Sequence, residues 1–186
     1  MFLNFKKKAP EYIDLDVVDG KIQLIKYKDE KNQLQLIGLT EKDLGVLHAY
    51  KQYLINDLDG IISDFYTHIM SVDELKEMIH AHSTLNRLQT VVKKQIESMF
   101  NGFIDDDYIN SRLKVASTHV RIKLNTNWYM IAFQVLKTRI ENQIYEQNLH
   151  PNYIRSLLSA LNKIINFEEK LVITTGGGKN FASSFT

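Results

Sequence analysis

Residues 100–134, FNGFIDDDYINSRLKVASTHVRIKLNTNWYMIAFQ, contain the signals that decide the fold. Gly102 is typical of the residue that follows the end of a helix. Asp105–Asp107 then favour a new helix start, because acidic side chains stabilise the positive end of the helix dipole. The stretch therefore predicts one helix that includes His119 and a second that begins near Trp128.

The flanking sequence has the same helical character on both sides. Apolar residues recur every three or four positions, and breakers are rare. Between Thr40 and Thr175 the only glycines and prolines are Gly45, Gly60, Gly102 and Pro151. We predict about seven helices of unequal length without an internal repeat, counting the stripes near Leu44 and from 54 to 69 as separate helices. Such a set favours an all-α, globin-like packing over an up-down bundle.

Local signals also predict where several helices begin. Two segments have the pattern of a capping box, Thr40-Glu41-Lys42-Asp43 and Ser71-Val72-Asp73-Glu74. His150-Pro151 predicts the start of the last helix, since proline at the first helical position lacks only an N–H that would be unpaired anyway.

The chain divides into three parts. Residues 1–38 are predicted to be an N-terminal extension, for which a strand and a short helix both remain open. Residues 39–175 form the predicted helical domain. Residues 176–186 are rich in glycine and serine and predict a flexible tail or linker. Their Gly176-Gly177-Gly178-Lys179 run lacks the spacing of a phosphate loop.

Composition excludes several classes of function. The chain has no cysteine, which rules out disulfides, thiolate zinc sites, iron–sulfur clusters and cysteine nucleophiles. The net charge of +1 gives no indication of a nucleic-acid or membrane-surface partner. No run of eighteen apolar residues predicts a membrane span, and the N-terminus lacks the pattern of a secretory signal. We therefore expect a cytoplasmic protein.

Few residues suggest chemistry when they are considered alone. No hydrolase elbow, zinc-protease, calcium-loop or dinucleotide motif is present. His80 and His82 are two positions apart and form a weak metal pair, because they face different sides of one helix. His119 and Tyr66 lie among apolar neighbours, where a structural histidine and a core tyrosine are the favoured interpretations.

Together, four segments resemble the globin-coupled sensors, with the nearest likeness to the sensor globin domain of haem-based aerotaxis transducers. They are Phe100-Asn-Gly-Phe-Ile-Asp-Asp, Ala116–Ile122, Trp128-Tyr129-Met130 and Ala132-Phe133-Gln134. The likeness extends from about Leu39 to Val172. It implies a sensor-globin variant of the globin fold, a haem b cofactor and a role as an oxygen sensor.

The resemblance also implies which residues form the haem site. His119 corresponds to the proximal ligand of the iron, and Tyr66 to a distal tyrosine that donates a hydrogen bond to bound O2. Tyr129 corresponds to a proximal-side tyrosine. The other expected haem contacts are Phe65, Leu88, Val91, Val92, Val115 and Ile122. Aerotaxis transducers can have threonine at the position of Val91, and valine cannot donate a hydrogen bond.

By the same resemblance, the chain is a binding module and not an enzyme. It would bind O2, with CO or NO as further ligands, and would form a homodimer through its last two helices. A second apolar row, Tyr129, Phe133, Ile140 and Ile144, is consistent with that interface and equally with core packing. A methyl-accepting, kinase or cyclase output domain would lie outside this chain.

Two other functions remain open. One is a haem-free globin-like interaction module of stress signalling, which His119 disfavours because such modules generally lack the ligand. The other is a haem globin with NO dioxygenase or peroxidase activity, which would need an external electron source because no reductase domain is present.

Overall fold

A computed structural model describes residue 14 and residues 19–177, without the side chains of 174–177. Within these residues two strands and seven helices follow one another: β1 (Lys21–Gln23), α1 (Lys28–Leu36), α2 (Glu41–Ile69), α3 (Asp73–His82), α4 (Leu85–Met99), β2 (Phe103–Asp105), α5 (Asp106–Arg121), α6 (Thr126–Tyr145) and α7 (Pro151–Gly177). α7 therefore continues two residues into the predicted tail, and the rest of that tail lies outside the described residues. No helix in the described part is long and apolar enough to cross a bilayer.

The extension contains both a strand and a helix, the two alternatives that the sequence left open. β1 pairs in parallel with β2, with Lys21 opposite Phe103 and Gln23 opposite Asp105. Carboxylates at the starts of two helices also accept hydrogen bonds from the backbone of residues 22–25. The Glu41 Oε1 atom accepts a hydrogen bond from the backbone N–H of Ile22 at 2.9 Å, and Asp106 accepts one from Ile25 at 3.0 Å. The segment is thus attached to the beginnings of α2 and α5.

Helix α2 is one continuous helix of 29 residues, so the prediction of two separate helices in this region is wrong. The reason is that apolar residues continue at helical spacing between the two stripes, with no break in the pattern. Tyr50 and Tyr53 continue it, and both are buried. The predicted capping box is confirmed at the start of α2, where Thr40 and Asp43 exchange hydrogen bonds between side chain and backbone.

The second predicted capping box is wrong. The hydroxyl of Ser71 donates to the carbonyl of His68 at 2.7 Å, so it belongs to the last turn of α2. Val72 occupies the position before α3 and makes no side-chain cap. Helix α3 begins one residue later than the spacing predicted, so Ser71 lies one position before the N-cap.

A sharp turn at Gly102 positions β2 ahead of α5. Its φ angle is +77°, and an added Cβ atom would lie 2.9 Å from the Cβ atom of His48. Glycine is therefore required here for both conformation and space. Asp105 then caps α5 by accepting a hydrogen bond from the backbone N–H of Tyr108 at 2.8 Å, as the acidic run predicted.

The core lies around α2, which packs against α4, α6 and α7, while α5 packs against α7. The apolar row of Tyr129, Phe133, Ile140 and Ile144 is buried within the single chain, with 8, 8, 0 and 0% exposure. Core packing therefore explains this row, and it provides no argument for a subunit interface. The remaining space between the helices is a cleft bounded by α2, α3, α4, α5 and α6.

Candidate functional site

The cleft is open to solvent on one side and has a cavity volume of about 210 Å³. Ligand and cofactor pockets are typically concave and lined mainly by apolar side chains, as this cleft is. Its walls are predominantly aliphatic and aromatic. Every residue that the resemblance assigned to the haem site lines it: Phe65, Tyr66, Leu88, Val91, Val92, Val115, His119, Ile122 and Tyr129. These residues come from four helices and span 65 positions of sequence, so only the tertiary fold assembles them.

Helix α5 supplies His119 to one wall. The Nδ1 atom of His119 is buried and has no hydrogen-bond partner among the described residues, so the backbone carbonyl expected for a ligating imidazole is not bonded to it. Burial lowers the pKa of the His119 imidazole, which favours the neutral ring with a free lone pair. A neutral imidazole is the form that binds a metal.

Tyr129 on α6 packs against this histidine. The two ring centroids are 5.1 Å apart, with 53° between the ring planes. The Tyr129 hydroxyl is also buried without a partner among the described residues. Burial raises the pKa of this hydroxyl, so it remains a hydrogen-bond donor. The wall formed by α5 and α6 therefore contains two adjacent polar atoms that have no hydrogen-bond partner among the described residues.

Helix α2 contributes Tyr66 to the cleft lining. This side chain is 6% exposed and meets the Phe65 ring edge-on, with centroids 4.9 Å apart. Its hydroxyl forms no hydrogen bond with any residue that the structure describes. Burial raises the pKa of the Tyr66 hydroxyl, which keeps it protonated and able to donate.

Helix α4 contributes mainly apolar side chains to the lining. Leu88, Val91 and Val92 all face the cleft, and Val91 is 45% exposed because it lies near the opening. The neighbouring Thr90 donates its hydroxyl to the carbonyl of Asn86 at 2.9 Å and does not line the cleft. Thr90 therefore does not substitute for a threonine at position 91.

The sequence interpretation missed several polar lining residues: His82, Ser83, Gln95 and Trp128. Gln95 was detectable, because it continues the Leu88 and Val92 face at helical spacing. His82 was considered only as a metal ligand with His80. The described residues contain no cluster of three or more metal-binding side chains, and His80 is not part of the lining.

Gln95 connects the cleft to a buried polar cluster. Its amide donates to the Oε2 atom of Glu168 on α7 at 3.3 Å. Glu168 is fully buried and forms an ion pair with Arg112. The Nε–H group of Arg112 donates a bifurcated hydrogen bond to both carboxylate oxygens, at 2.8 and 2.9 Å. Tyr108 donates its hydroxyl to the same carboxylate, and its ring lies 3.8 Å below the guanidinium of Arg112. The cluster links α4, α5 and α7.

The donor set of this cleft fits a haem. A haem of the globin type is held in an apolar cleft by an imidazole that binds its iron. The aliphatic and aromatic lining meets the first condition, and His119, whose Nδ1 atom is buried and unpaired among the described residues, meets the second. The lining contains no cysteine and no carboxylate, and its other imidazole, His82, is exposed.

Helices of unequal length around one apolar cleft, with a histidine on its wall, define a globin-type cofactor-binding domain. The family model of Protoglobin matches residues 27–175, and the chain belongs to this family. Two similar solved structures have the same fold. The globin domain of the Geobacter sulfurreducens globin-coupled sensor aligns with a TM-score of 0.73 and 20% identity, covering 78% of this chain and 95% of that chain.

The second structure is the globin domain of E. coli DosC in a ferric form. It aligns with a TM-score of 0.66 and 15% identity, and the alignment covers 77% of this chain and 97% of that chain. The predicted globin fold and the resemblance to globin-coupled sensors are therefore confirmed.

Proposed function

We propose that this protein is a haem-based sensor of diatomic gases, with O2 as its principal ligand, and that it acts as a binding module and not as an enzyme. One observation carries the proposal: His119, whose Nδ1 atom is buried without a partner among the described residues, lines the same apolar cleft as Tyr66. The Tyr66 hydroxyl likewise forms no hydrogen bond with a described residue. An unpaired polar group in an apolar environment is unfavourable unless a ligand uses it.

The imidazole of His119 would bind the haem iron, and the surrounding aliphatic side chains would contact the porphyrin. The cofactor would be haem b, because covalent attachment of haem c requires cysteine and the chain has none. When bound, the haem supplies an iron that binds a diatomic gas reversibly. The apolar walls would exclude water from the gas-binding side.

Tyr66 would select the gas. Its protonated hydroxyl would donate a hydrogen bond to the ligand, which stabilises a polar ligand by about 1–3 kcal/mol. O2 becomes more polar than CO when it is bound, so O2 would gain more from this bond. The selectivity is therefore proposed to come from one donor in an otherwise apolar distal wall.

The signal that a gas has bound would pass from the haem site through α5 to α7. A displacement of α5 would be transmitted to α7, because the buried Arg112–Glu168 ion pair joins the two helices.

A dimer through α6 and α7 remains part of this proposal. On α6, Met130 and Ile131 are 44 and 53% exposed and would contribute apolar surface to the contact. The proposed receiver is a cytoplasmic signalling domain, such as that of an aerotaxis transducer.

The test is a titration of the purified protein with haem, followed by visible absorption spectra of the reduced form before and after exposure to O2. We expect a stoichiometric complex that changes reversibly with O2. The His119→Ala variant should lose this spectrum, and His80→Ala, which alters an exposed histidine outside the cleft, should retain it. Absence of haem uptake by the unaltered protein would overturn the proposal and favour a haem-free interaction module.

A further inference from the structure

A second cavity adjoins the cleft and shares His119, Leu124 and Tyr129 with it. It has a volume of about 220 Å³ and lies between the end of α5, the start of α6 and the end of α7. A water molecule takes up about 30 Å³ in the liquid, so this cavity has room for a small organic molecule. Five aliphatic side chains line it, among them Val120 on α5 and Val172 on α7.

The other four lining residues supply polar atoms that have no partner among the described residues. The Nδ1 atom of His119 and the hydroxyl of Tyr129 are both buried, and Tyr129 is only 8% exposed. Lys123 and Thr126 are exposed, and neither side chain forms a hydrogen bond or an ion pair with a residue that the structure describes. A ligand that bonds to the two buried atoms would remove an unfavourable feature of the empty cavity.

These polar groups are donors, and one of them is a cation. An ammonium, two hydroxyls and a neutral imidazole can each donate a hydrogen bond. The described lining contains no Asp or Glu, and Glu168, which lies nearby on α7, is already paired with Arg112. Three carbonyls at the end of α5 accept hydrogen bonds from the backbone N–H groups of residues 122–124. The cavity therefore favours a negatively charged acceptor such as a carboxylate.

The backbone of Lys123 provides a second observation. Among the residues that the structure describes, Lys123 is the one non-glycine residue with a positive φ angle, 57°. Glycine is the residue most often found in this conformation at the end of a helix, because any Cβ atom makes it less favourable. Such backbone strain is concentrated at functional sites. A lysine where the backbone favours glycine indicates that the ammonium group has a role.

We propose that this cavity is a second ligand site, which binds a small monocarboxylate with a short hydrocarbon chain and thereby changes the gas affinity of the haem site. The carboxylate bonds to Lys123, Thr126 and the buried donors, and the hydrocarbon chain contacts the aliphatic side chains.

The link to the haem site is the imidazole of His119, which lines both spaces and has two ring nitrogens. A hydrogen bond from one nitrogen to an acceptor makes the other nitrogen a stronger metal ligand. Carboxylate binding itself does not require haem, whereas its effect on gas affinity rests on the proposed function.

The first experiment measures the binding of radiolabelled butyrate to the full chain by equilibrium dialysis at neutral pH and constant ionic strength. Unlabelled butyramide, which has nearly the same shape and no charge, is the competitor. We expect saturable binding that butyramide does not displace. Lys123→Met should weaken it about tenfold, the effect of losing a hydrogen bond from a charged group. Lys114→Met, which removes an exposed cation of α5 outside the cavity, should leave it unchanged.

Lys123→Gly separates ligand binding from a structural role of the lysine. Glycine relieves the positive φ angle, so this variant should have a higher melting temperature and yet bind butyrate as weakly as Lys123→Met. Equal butyrate affinity in Lys123→Met and the unaltered protein would overturn the inference. Displacement by butyramide, or no saturable binding at all, would also overturn it.

The second experiment measures the coupling between the two sites. The reduced, haem-loaded protein is titrated with CO in the presence and absence of saturating butyrate. We expect butyrate to change the CO affinity about fivefold, CO to change the butyrate affinity by the same factor, and both effects to be lost in Lys123→Met. An unchanged CO affinity would overturn the coupling. Butyrate binding by a chain that takes up no haem would support the second site and overturn the proposed function alone.

Discussion

The rings of His119 and Tyr129 pack together with their centroids 5.1 Å apart, and each ring carries a buried polar atom without a hydrogen-bond partner among the described residues. One is the Nδ1 atom of the imidazole and the other is the phenolic hydroxyl. Two adjacent unpaired polar groups in one apolar wall lower the stability of the folded chain when no ligand is bound. Their arrangement suggests that they acquire partners when the cleft is filled.

Substitution of Tyr129 by phenylalanine tests this interpretation. In the protein without haem we expect Tyr129→Phe to raise the free energy of unfolding by about 1 kcal/mol, because it removes an unpaired buried hydroxyl and keeps the ring. In the haem-loaded protein this gain in stability should disappear, because the hydroxyl would then form a hydrogen bond that phenylalanine cannot form. Urea unfolding of both forms measures the difference.

Tyr153 provides the control for that experiment. Its hydroxyl is also buried and lacks a partner among the described residues, but the residue does not line the cleft. Tyr153→Phe should therefore stabilise both forms equally. The same response from Tyr129 and Tyr153 would show that the hydroxyl of Tyr129 has no function in the loaded protein.

The hydroxyl of Tyr66 is predicted to determine gas selectivity. Tyr66→Phe should weaken O2 binding by roughly 5–150-fold, the equivalent of about 1–3 kcal/mol, and weaken CO binding less. Equilibrium titrations with both gases give the ratio of affinities. Tyr145→Phe, which alters a tyrosine that is 61% exposed, should leave both affinities unchanged. An equal loss for O2 and CO would argue against a hydrogen bond to the ligand.

Val91 supplies no hydrogen-bond donor to the cleft, and a threonine at this position should add one. Val91→Thr nearly preserves side-chain shape and is expected to strengthen O2 binding relative to CO. Thr90→Val is the matched control, because the Thr90 hydroxyl bonds to Asn86 and lies outside the cleft lining. Unchanged affinities in Val91→Thr would place the ligand beyond the reach of position 91.

The buried ion pair between Arg112 and Glu168 is predicted to be costly to break. Either Arg112→Met or Glu168→Leu alone should lower the free energy of unfolding by about 3–5 kcal/mol, because the other charge remains buried without its partner. The double variant should recover much of that loss. Urea unfolding of the four proteins forms a double-mutant cycle, and additive losses would contradict the predicted coupling.

The two predicted capping boxes should respond differently to alanine. Thr40→Ala removes a cap that the structure contains and should destabilise the protein by about 1 kcal/mol. Ser71→Ala removes a hydroxyl that bonds the end of α2 and does not cap α3, so its effect should be smaller. Thermal or urea unfolding of both variants would reveal the order, and a larger effect at Ser71 would contradict it.

The amino-acid sequence by itself determined the helical class, most helix starts and the resemblance that assigned the cleft residues. These properties depend on signals within one or two helical turns, such as the acidic run before α5 and the proline at the start of α7. Such signals failed where a helix began one residue later than its capping pattern predicted, as at Ser71. They failed also where one helix continued between two apolar stripes, as through Tyr50.

Only the tertiary structure decided which polar groups are paired. Arg112 and Glu168 are 56 positions apart, and their ion pair exists because α5 and α7 pack against each other. The same packing leaves the Nδ1 atom of His119 without a partner and brings His82 to the edge of the cleft. Burial and pairing depend on contacts between distant helices, and a one-dimensional pattern contains no information on those distances.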